Sequence, residues 1–221
     1  MPSRKILLIA CAMFTGNSCT QTAPALPPPR VPRVVLVHGI FEKGNNFSMF
    51  KKRLEKRGFD CYVPQMHPSD GRGGLENLAV RLKQDIDHQF GPNDPISVVG
   101  FSMGGIVSRE YLQHLGGAKR CENFITISSP HHGTKLAWCY PTLGAEEMRP
   151  DSPFLANLAH SEDSLGKMRI TSYRTPMDLV IVPPSSSIWA RAENLEYPVI
   201  LHPLMLNSGR VLDDVEQRLL K

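Results

Sequence analysis

The sequence is short of long apolar runs, of cysteine and of net charge. Beyond its first residues, no segment supplies the roughly 20 consecutive apolar residues that a membrane-spanning helix needs. The net charge is only +4, from 25 Lys+Arg against 21 Asp+Glu. The densest basic run, at 51–57, is typical of the solvated face of a helix and does not indicate nucleic-acid binding. With 221 residues and 41% hydrophobic side chains, the chain is expected to form one globular domain.

The first residues have the pattern of an export signal. Arg4 and Lys5 precede an apolar run at 6–14, and small and polar residues follow it. We therefore expect residues 1–19 to be a signal peptide and the protein to be exported, as a periplasmic, cell-envelope or secreted protein. Cys11 and Cys19 each end a stretch that resembles the lipobox of bacterial lipoproteins. A longer apolar run precedes Cys19 than Cys11, so Cys19 is the preferred lipidation site. A lipid at Cys19 would attach the protein to a membrane. Ordinary signal-peptide cleavage and a retained N-terminal helix are the alternatives.

Proline marks the start of the folded part. Five prolines between 24 and 32 predict an extended tether over residues 20–32, so the domain is expected to cover 33–221. Only five cysteines are present in the chain, and Cys61, Cys121 and Cys139 are the three inside this domain. At most one disulfide can form among them, with Cys121 and Cys139 as the candidate pair, and buried free thiols are the alternative.

Strand patterns alternate with helix patterns along the domain. This alternation predicts an α/β fold with a mostly parallel sheet and helices on both faces. Between residues 130 and 168 the periodicity weakens, which predicts a loop-rich insertion of the kind that is usually functional. The expected strands are 33–38, 59–64, 95–100, 122–129, 178–183 and 197–202, and the expected helices are 47–57, 75–90, 104–115 and 208–221.

A serine lies between two glycines where a strand pattern gives way to a helix pattern. Gly100, Ser102 and Gly104 form G-x-S-x-G in the strand-to-helix context that a nucleophile elbow requires. A side chain at either glycine would collide with the neighbouring strand or helix. The bend would present the Ser102 hydroxyl at the carboxyl edge of the sheet and direct the N–H of Met103 to the same place.

A serine nucleophile needs a base and a group that orients the base. In this architecture the chain order is serine, acid, histidine, which leaves five of the eight histidines. Among them, His202 alone directly follows a predicted late strand and precedes the last helix, where a loop could bring its ring over Ser102. Asp178 is the preferred acid because it accompanies a predicted late strand. The histidines set aside are His114, His131, His132 and His160, and the acids set aside are Asp151 and Asp163.

A second N–H donor is expected after the first strand. In "VLVHGIF", Gly39 lets the backbone approach closely and the N–H of Ile40 can point at the site. His38 precedes Ser102 in the chain, so we interpret it as a loop-supporting residue.

These motifs together resemble the α/β-hydrolase superfamily, and within it the small bacterial lipases and esterases related to triacylglycerol lipases. "VLVHGI", "GFSMGG", "ISSPHHGT", "MRPDSPFLANL" and "DLVIVPPSSS" carry the resemblance, which runs from about Val34 to Leu220. It implies Ser102 as nucleophile, Asp178 as orienting acid and His202 as base. It also implies Ile40 and Met103 as oxyanion donors, with no cofactor and no metal. His131 and His132 match a segment that shapes a loop, with metal binding as the minor alternative.

The sequence therefore predicts a carboxylic ester hydrolase that acts on acyl or lipidic esters. The alternatives are a thioesterase, an acyltransferase or a polyester depolymerase with the same triad, or a non-catalytic envelope lipoprotein with the same fold. Apolar residues of the insertion could line an acyl pocket or belong to the core. They are Leu143, Met148, Phe154, Leu155 and Leu158.

Overall fold

The computed structural model describes residues 31–221, and its centre is a six-stranded sheet in which every strand pair is parallel. The strands are β1 (Arg33–Val37), β2 (Asp60–Tyr62), β3 (Ile96–Phe101), β4 (Cys121–Ile127), β5 (Arg169–Arg174) and β6 (Glu193–Glu196), in the order β2-β1-β3-β4-β5-β6. The predicted leader at 1–19 lies outside the described residues, as does the predicted tether except for its last two positions.

Helices cover both faces of this sheet, as the alternating pattern predicted. They are α1 (Ser48–Lys56), α2 (Leu75–Phe90), α3 (Met103–His114), α4 (Leu143–Glu147), α5 (Pro153–His160) and α6 (Gly209–Leu219). Successive side chains of a strand point to opposite faces. Val35 and Val37 of β1 accordingly pack on the side of α2 and α3, whereas Val34 and Leu36 pack on the side of α1 and α6.

The first four predicted strands are confirmed, but the two predicted late strands are wrong. Residues 178–183 and 197–202 lie in irregular structure, and the last two strands of the sheet are β5 and β6. The apolar run at 178–183 is not a strand because its backbone is bonded elsewhere. The Asp178 carboxylate accepts the N–H groups of Val180 and Ile181, and Val182 donates to Thr134 Oγ1. Pro183 has no N–H to donate to a sheet.

The segment 130–168 contains α4, α5 and two short 3-10 turns, Lys135–Cys139 and Glu162–Leu165. The candidate disulfide is contradicted, because Cys121 and Cys139 are both free thiols. Cys121 is buried at the start of β4, whereas Cys139 is exposed in the insertion that follows this strand. Burial raises the pKa of the Cys121 thiol to about 12. In the part of the chain from residue 31 onward, no helix is long and apolar enough to span a membrane.

Candidate active site

Ser102 occupies a sharp bend between β3 and α3. Its backbone angles are φ 53° and ψ −126°, a conformation that a residue with a side chain rarely adopts. Such a conformation costs of order 1–3 kcal/mol and persists only where the surroundings enforce it. Here the Ser102 N–H donates to the carbonyl of Ile127 at 2.9 Å, which ties the bend to the end of β4.

The two motif glycines permit close backbone contacts. A Cβ on Gly100 would lie 2.6 Å from the Cα of Gly105, and one on Gly104 would lie 2.2 Å from the carbonyl oxygen of Val37. Both distances are shorter than real Cβ contacts, and both involve backbone atoms that cannot move aside cheaply. The collision predicted from the sequence is thus present at both positions.

Asp178 and His202 meet at the same edge of the sheet. Asp178 lies in the loop after β5, and His202 begins the 3-10 turn His202–Asn207 between β6 and α6. Nδ1 of His202 is 2.8 Å from Oδ2 and 3.0 Å from Oδ1 of Asp178. Both residues are buried, with 4% of Asp178 and 7% of His202 exposed. The acid and the histidine chosen from the sequence are therefore a hydrogen-bonded pair.

The carboxyl group of Asp178 is held in its ionised form. Burial would raise its pKa, but the hydrogen bond and charge of His202 outweigh burial, together with the N–H groups of Ile181 and Val180. The pKa of Asp178 consequently lies below its ordinary value. An ionised carboxylate at Nδ1 fixes the ring orientation of His202 and leaves Nε2 as the free nitrogen.

The candidate base, His202, packs beside the strand end that precedes the candidate nucleophile, Ser102. The His202 ring packs on Phe101, the residue just before Ser102, with ring centroids 4.7 Å apart. Within residues 31–221 no hydrogen bond joins Ser102 to His202. Catalytic hydrogen bonds are often long in ligand-free sites and shorten when substrate binds.

The two predicted oxyanion donors border one pocket with Ser102. Met103 is the first residue of α3, so its N–H has no acceptor within the helix. Among the described residues, the N–H of Ile40 also has no acceptor. The pocket is almost wholly apolar, and its lining includes Ile40, Met103, Leu136, Met148, Val180 and Ile181.

The insertion residues considered for an acyl pocket fall into three groups. Met148 lines the pocket beside Ser102. Phe154, Leu155 and Leu158 are buried in the core on the α2 and α3 side, and Leu143 is 48% exposed.

The other predicted histidines and acids lie apart from this pair. His38 is buried, and its Nε2 accepts the Met66 N–H at 3.3 Å, so it joins the end of β1 to the segment after β2. His131 is buried, stacks on Trp189 with centroids 4.7 Å apart and bonds Thr126 Oγ1.

Of the remaining candidates, His132 bonds the Ile188 carbonyl, His114 pairs with Glu110, and His160 bonds the Ala156 carbonyl. Asp151 and Asp163 are exposed. Across residues 31–221, no group of three or more His, Cys, Asp or Glu side chains is placed to hold a metal ion.

The sequence analysis missed Glu42, whose carboxylate accepts the Gly39 N–H at 2.7 Å beside the site. The sequence signal for this contact is the position of Glu42, three residues after Gly39 in the loop that follows β1.

Lipases are among the solved structures with this architecture. The mature form of Bacillus licheniformis lipase BlEst2 superposes with a TM-score of 0.69 at 17% identity, over 90% of this chain and 96% of that one. Aspergillus fumigatus lipase B gives a TM-score of 0.74 at 17% identity, over 86% of this chain and 53% of that one. At this identity the likeness concerns the fold alone, which is the α/β-hydrolase fold.

The family follows from the sequence itself. Residues 33–162 match the model of the palmitoyl protein thioesterase family, which is more than half of the chain, and the protein belongs to that family. Thioesterases were among the alternatives that the sequence left open.

Curated relatives agree with this family. Lysosomal thioesterase PPT2 of Bos taurus is 24% identical over 152 residues, covering 64% of this chain and 49% of that protein. The Drosophila melanogaster homologue of PPT2 is 27% identical over 148 residues, covering 63% of this chain and 49% of that protein. The chain thus spans about half the length of the curated relatives it matches.

Proposed function

We propose that the protein is a serine hydrolase that cleaves acyl esters and acyl thioesters through a covalent acyl-enzyme. Ser102 is the nucleophile, His202 the general base and Asp178 the group that orients the base. The observation that carries this proposal is the buried pair of His202 and Asp178, placed against Phe101 at a strained serine.

In the first half of the reaction, Ser102 Oγ attacks the carbonyl carbon while Nε2 of His202 accepts the hydroxyl proton. The carboxylate of Asp178 stabilises the imidazolium that forms, and the developing oxyanion accepts the N–H groups of Ile40 and Met103. Collapse of the tetrahedral intermediate expels the alcohol or thiol, which takes the proton from His202. Water then releases the acyl group by the same steps, with His202 as base again.

The surroundings of the site favour an acyl group of lipidic character. The pocket beside Ser102 is apolar, and the loops that follow the strands toward the site carry exposed apolar side chains. Leu179 is 71% exposed, Ile200 69%, and Trp138 63%. Residues 197–208 contain no Asp, Glu, Lys or Arg. A charge-poor rim around an apolar pocket suits a substrate that presents a hydrocarbon chain.

The family assignment favours thioesters as a second class of substrate beside oxygen esters. The same triad serves both, because a thiolate leaves more readily than an alkoxide and needs no different catalytic group. The triad does not distinguish oxygen esters from thioesters, so recognition of the polar part of the substrate sets the preference.

We also propose that the protein is exported, on the strength of the leader pattern at 1–19, and that Cys19 carries a lipid anchor. The test is membrane fractionation of the full chain beside Cys19→Ser. Loss of the membrane-bound fraction in the variant is expected, and an unchanged distribution would count against lipidation at Cys19.

The activity is tested with p-nitrophenyl esters of increasing chain length beside acyl-coenzyme A thioesters, using the full chain and Ser102→Ala. We expect hydrolysis of both classes by the wild type, and a loss of at least about 1000-fold in Ser102→Ala. Equal rates for the two proteins would contradict the proposal and favour a binding protein with the same fold. Transfer of the acyl group to an added alcohol in preference to water would indicate an acyltransferase.

A further inference from the structure

Glu42 is bonded to the loop that follows β1. Its Oε2 atom accepts the backbone N–H of Gly39 at 2.7 Å and the side-chain amide of Asn46 at 2.5 Å. The carboxylate thus closes the segment 39–42 into a turn through a side chain rather than through a backbone carbonyl.

The N–H groups of this turn point to different partners. The Gly39 N–H is taken by Glu42, and the Phe41 N–H donates to the carbonyl of Ser69 at 2.9 Å. Phe41 has φ 61°, which lies in the left-handed region. Between these two residues, the N–H of Ile40 has no acceptor in the described part of the chain, and Ile40 lines the pocket beside Ser102. Both neighbouring N–H groups are therefore held away from the site, and the middle one is left available.

Glu42 is hydrogen-bonded to Gly39, and the backbone of Gly39 lies close to Ser102. A Cβ built on Gly39 would lie 3.1 Å from the Cβ of Ser102 and 3.2 Å from Oε2 of Glu42. Gly39 thus lies close to both Ser102 and the Glu42 carboxylate. Movement of the Gly39 backbone would change the position of the adjoining Ile40 N–H relative to Ser102.

From this geometry we propose that Glu42 is a positioning residue of the oxyanion hole, which holds the Gly39–Ile40 backbone so that the Ile40 N–H points at the site. The inference rests on the proposed hydrolase function. Glu42 acts through Gly39 and is not itself in contact with substrate.

A displaced Ile40 N–H should affect the chemical step of the reaction rather than substrate binding. The charge on the carbonyl oxygen develops in the transition state, so a misplaced donor slows the chemical step and leaves substrate binding largely unchanged. Removal of one oxyanion donor costs about 100- to 1000-fold in kcat, and a loosened donor should cost less, about 10- to 100-fold.

Three variants of the full chain isolate the hydrogen bond. Glu42→Ala removes the acceptor, whereas Glu42→Gln keeps an oxygen that can accept the Gly39 N–H and removes only the charge. Glu55→Ala is the matched control, because Glu55 is an exposed carboxylate on α1 whose one ion pair among residues 31–221 is with Lys51 at 3.6 Å. Wild type and Ser102→Ala are measured in the same assay with p-nitrophenyl butyrate, and thermal unfolding checks that each variant is folded.

We expect Glu42→Ala to lower kcat by about 10- to 100-fold with KM within about three-fold of wild type, as loss of a transition-state interaction requires. Glu42→Gln should return kcat to within about five-fold of wild type, because the hydrogen bond to Gly39 can re-form. Glu55→Ala should match the wild type.

Two results would overturn the inference: a wild-type kcat in Glu42→Ala, or equal losses in the alanine and glutamine variants. Should Glu42→Ala fail to fold, Asn46→Ala takes its place, since it frees the carboxylate by removing the amide donor. A fall in kcat at constant KM then supports the positioning role, and an unchanged kcat contradicts it. Equal rates for wild type and Ser102→Ala are a separate result, which contradicts the hydrolase function itself.

Discussion

The imidazole of His202 packs against the ring of Phe101, with their centroids 4.7 Å apart and their planes inclined by 39°. Phe101 is the last residue of β3 and directly precedes Ser102. The end of β3 therefore carries both the proposed nucleophile, Ser102, and a ring that packs on the proposed base, while Asp178 bonds Nδ1 of His202 from the loop after β5. The end of β3 and the loop after β5 thus both contact His202 and hold its ring.

Replacement of the orienting acid should lower turnover. We expect Asp178→Asn to reduce kcat by about 100- to 10,000-fold, because an amide can stabilise the wrong tautomer of His202 and no longer offsets the imidazolium charge. Steady-state hydrolysis of p-nitrophenyl butyrate measures the loss. Asp163→Asn, an exposed aspartate of the same chain, is the control and should retain wild-type kcat.

The same carboxylate should make stability depend on pH. Because the pKa of Asp178 is lower in the folded protein than its ordinary value of 3.8, its ionised form stabilises the fold above that pH. This contribution is lost as the pH falls below 3.8 toward the folded-state pKa. In urea unfolding between pH 5 and pH 2.5, the stability of wild type relative to Asp178→Asn should decline as the solution becomes more acidic. A constant difference over this range would contradict the assignment.

The elbow should not tolerate a methyl group at its second glycine. A Cβ at Gly104 would lie 2.2 Å from the Val37 carbonyl oxygen, so we expect Gly104→Ala to destabilise the protein by at least about 2 kcal/mol. Gly209 starts α6 and has no atom within 4 Å of its Cβ position. Gly209→Ala should therefore raise stability by about 0.5 kcal/mol. Chemical denaturation compares the two, and similar effects would contradict the close contact.

Arg109 and Glu162 form an ion pair that joins α3 to the 3-10 turn Glu162–Leu165, with Arg109 buried and Glu162 partly exposed. Arg109 is 1% exposed and donates to Glu162 Oε1 at 2.9 Å, and the same oxygen accepts Trp189 Nε1 at 2.6 Å. Burial lowers the pKa of Arg109 to about 10, against the opposing effect of Glu162.

Removal of this acceptor should be costly. Glu162→Ala leaves a buried charge and an indole N–H without their partner, so a loss of about 3 kcal/mol or more is expected. The adjacent Asp163→Ala should change stability by less than about 0.5 kcal/mol, because that side chain is exposed. Denaturant unfolding measures both, and equal small effects would mean that Glu162 is not the partner of Arg109.

The sequence predicts those parts of the molecule whose conformation is determined by residues close together in the chain. The elbow is one, since Gly100, Ser102 and Gly104 combine a steric requirement with a strand before them and a helix after them. The central strands are another, because β1, β3 and β4 are largely buried and rich in Val, Ile and Phe, a composition that favours a strand. Asp178 and His202 were chosen by chain order and by two predicted late strands; the structure lacks both strands, yet it brings the two residues together.

The late strands could not be found in this way. β6 has the sequence ENLE and is mostly exposed, so nothing in its composition distinguishes it from a loop, and it exists by pairing with β5. The apolar run after Asp178 has the opposite property. Its composition is that of a strand, but the Asp178 carboxylate and Thr134 take its N–H groups. Glu42 was not predicted either, because the sequence does not show that its carboxylate accepts the Gly39 N–H across a turn.

The most direct test of the central claim is labelling of the full chain with a fluorophosphonate, followed by peptide mapping, beside Ser102→Ala and His202→Ala. The account predicts one modified serine in the wild type, Ser102, and no labelling in either folded variant, because the phosphonate traps only a serine activated by its histidine. Unlabelled but folded wild type, or labelling that survives in His202→Ala, would contradict the assembled triad.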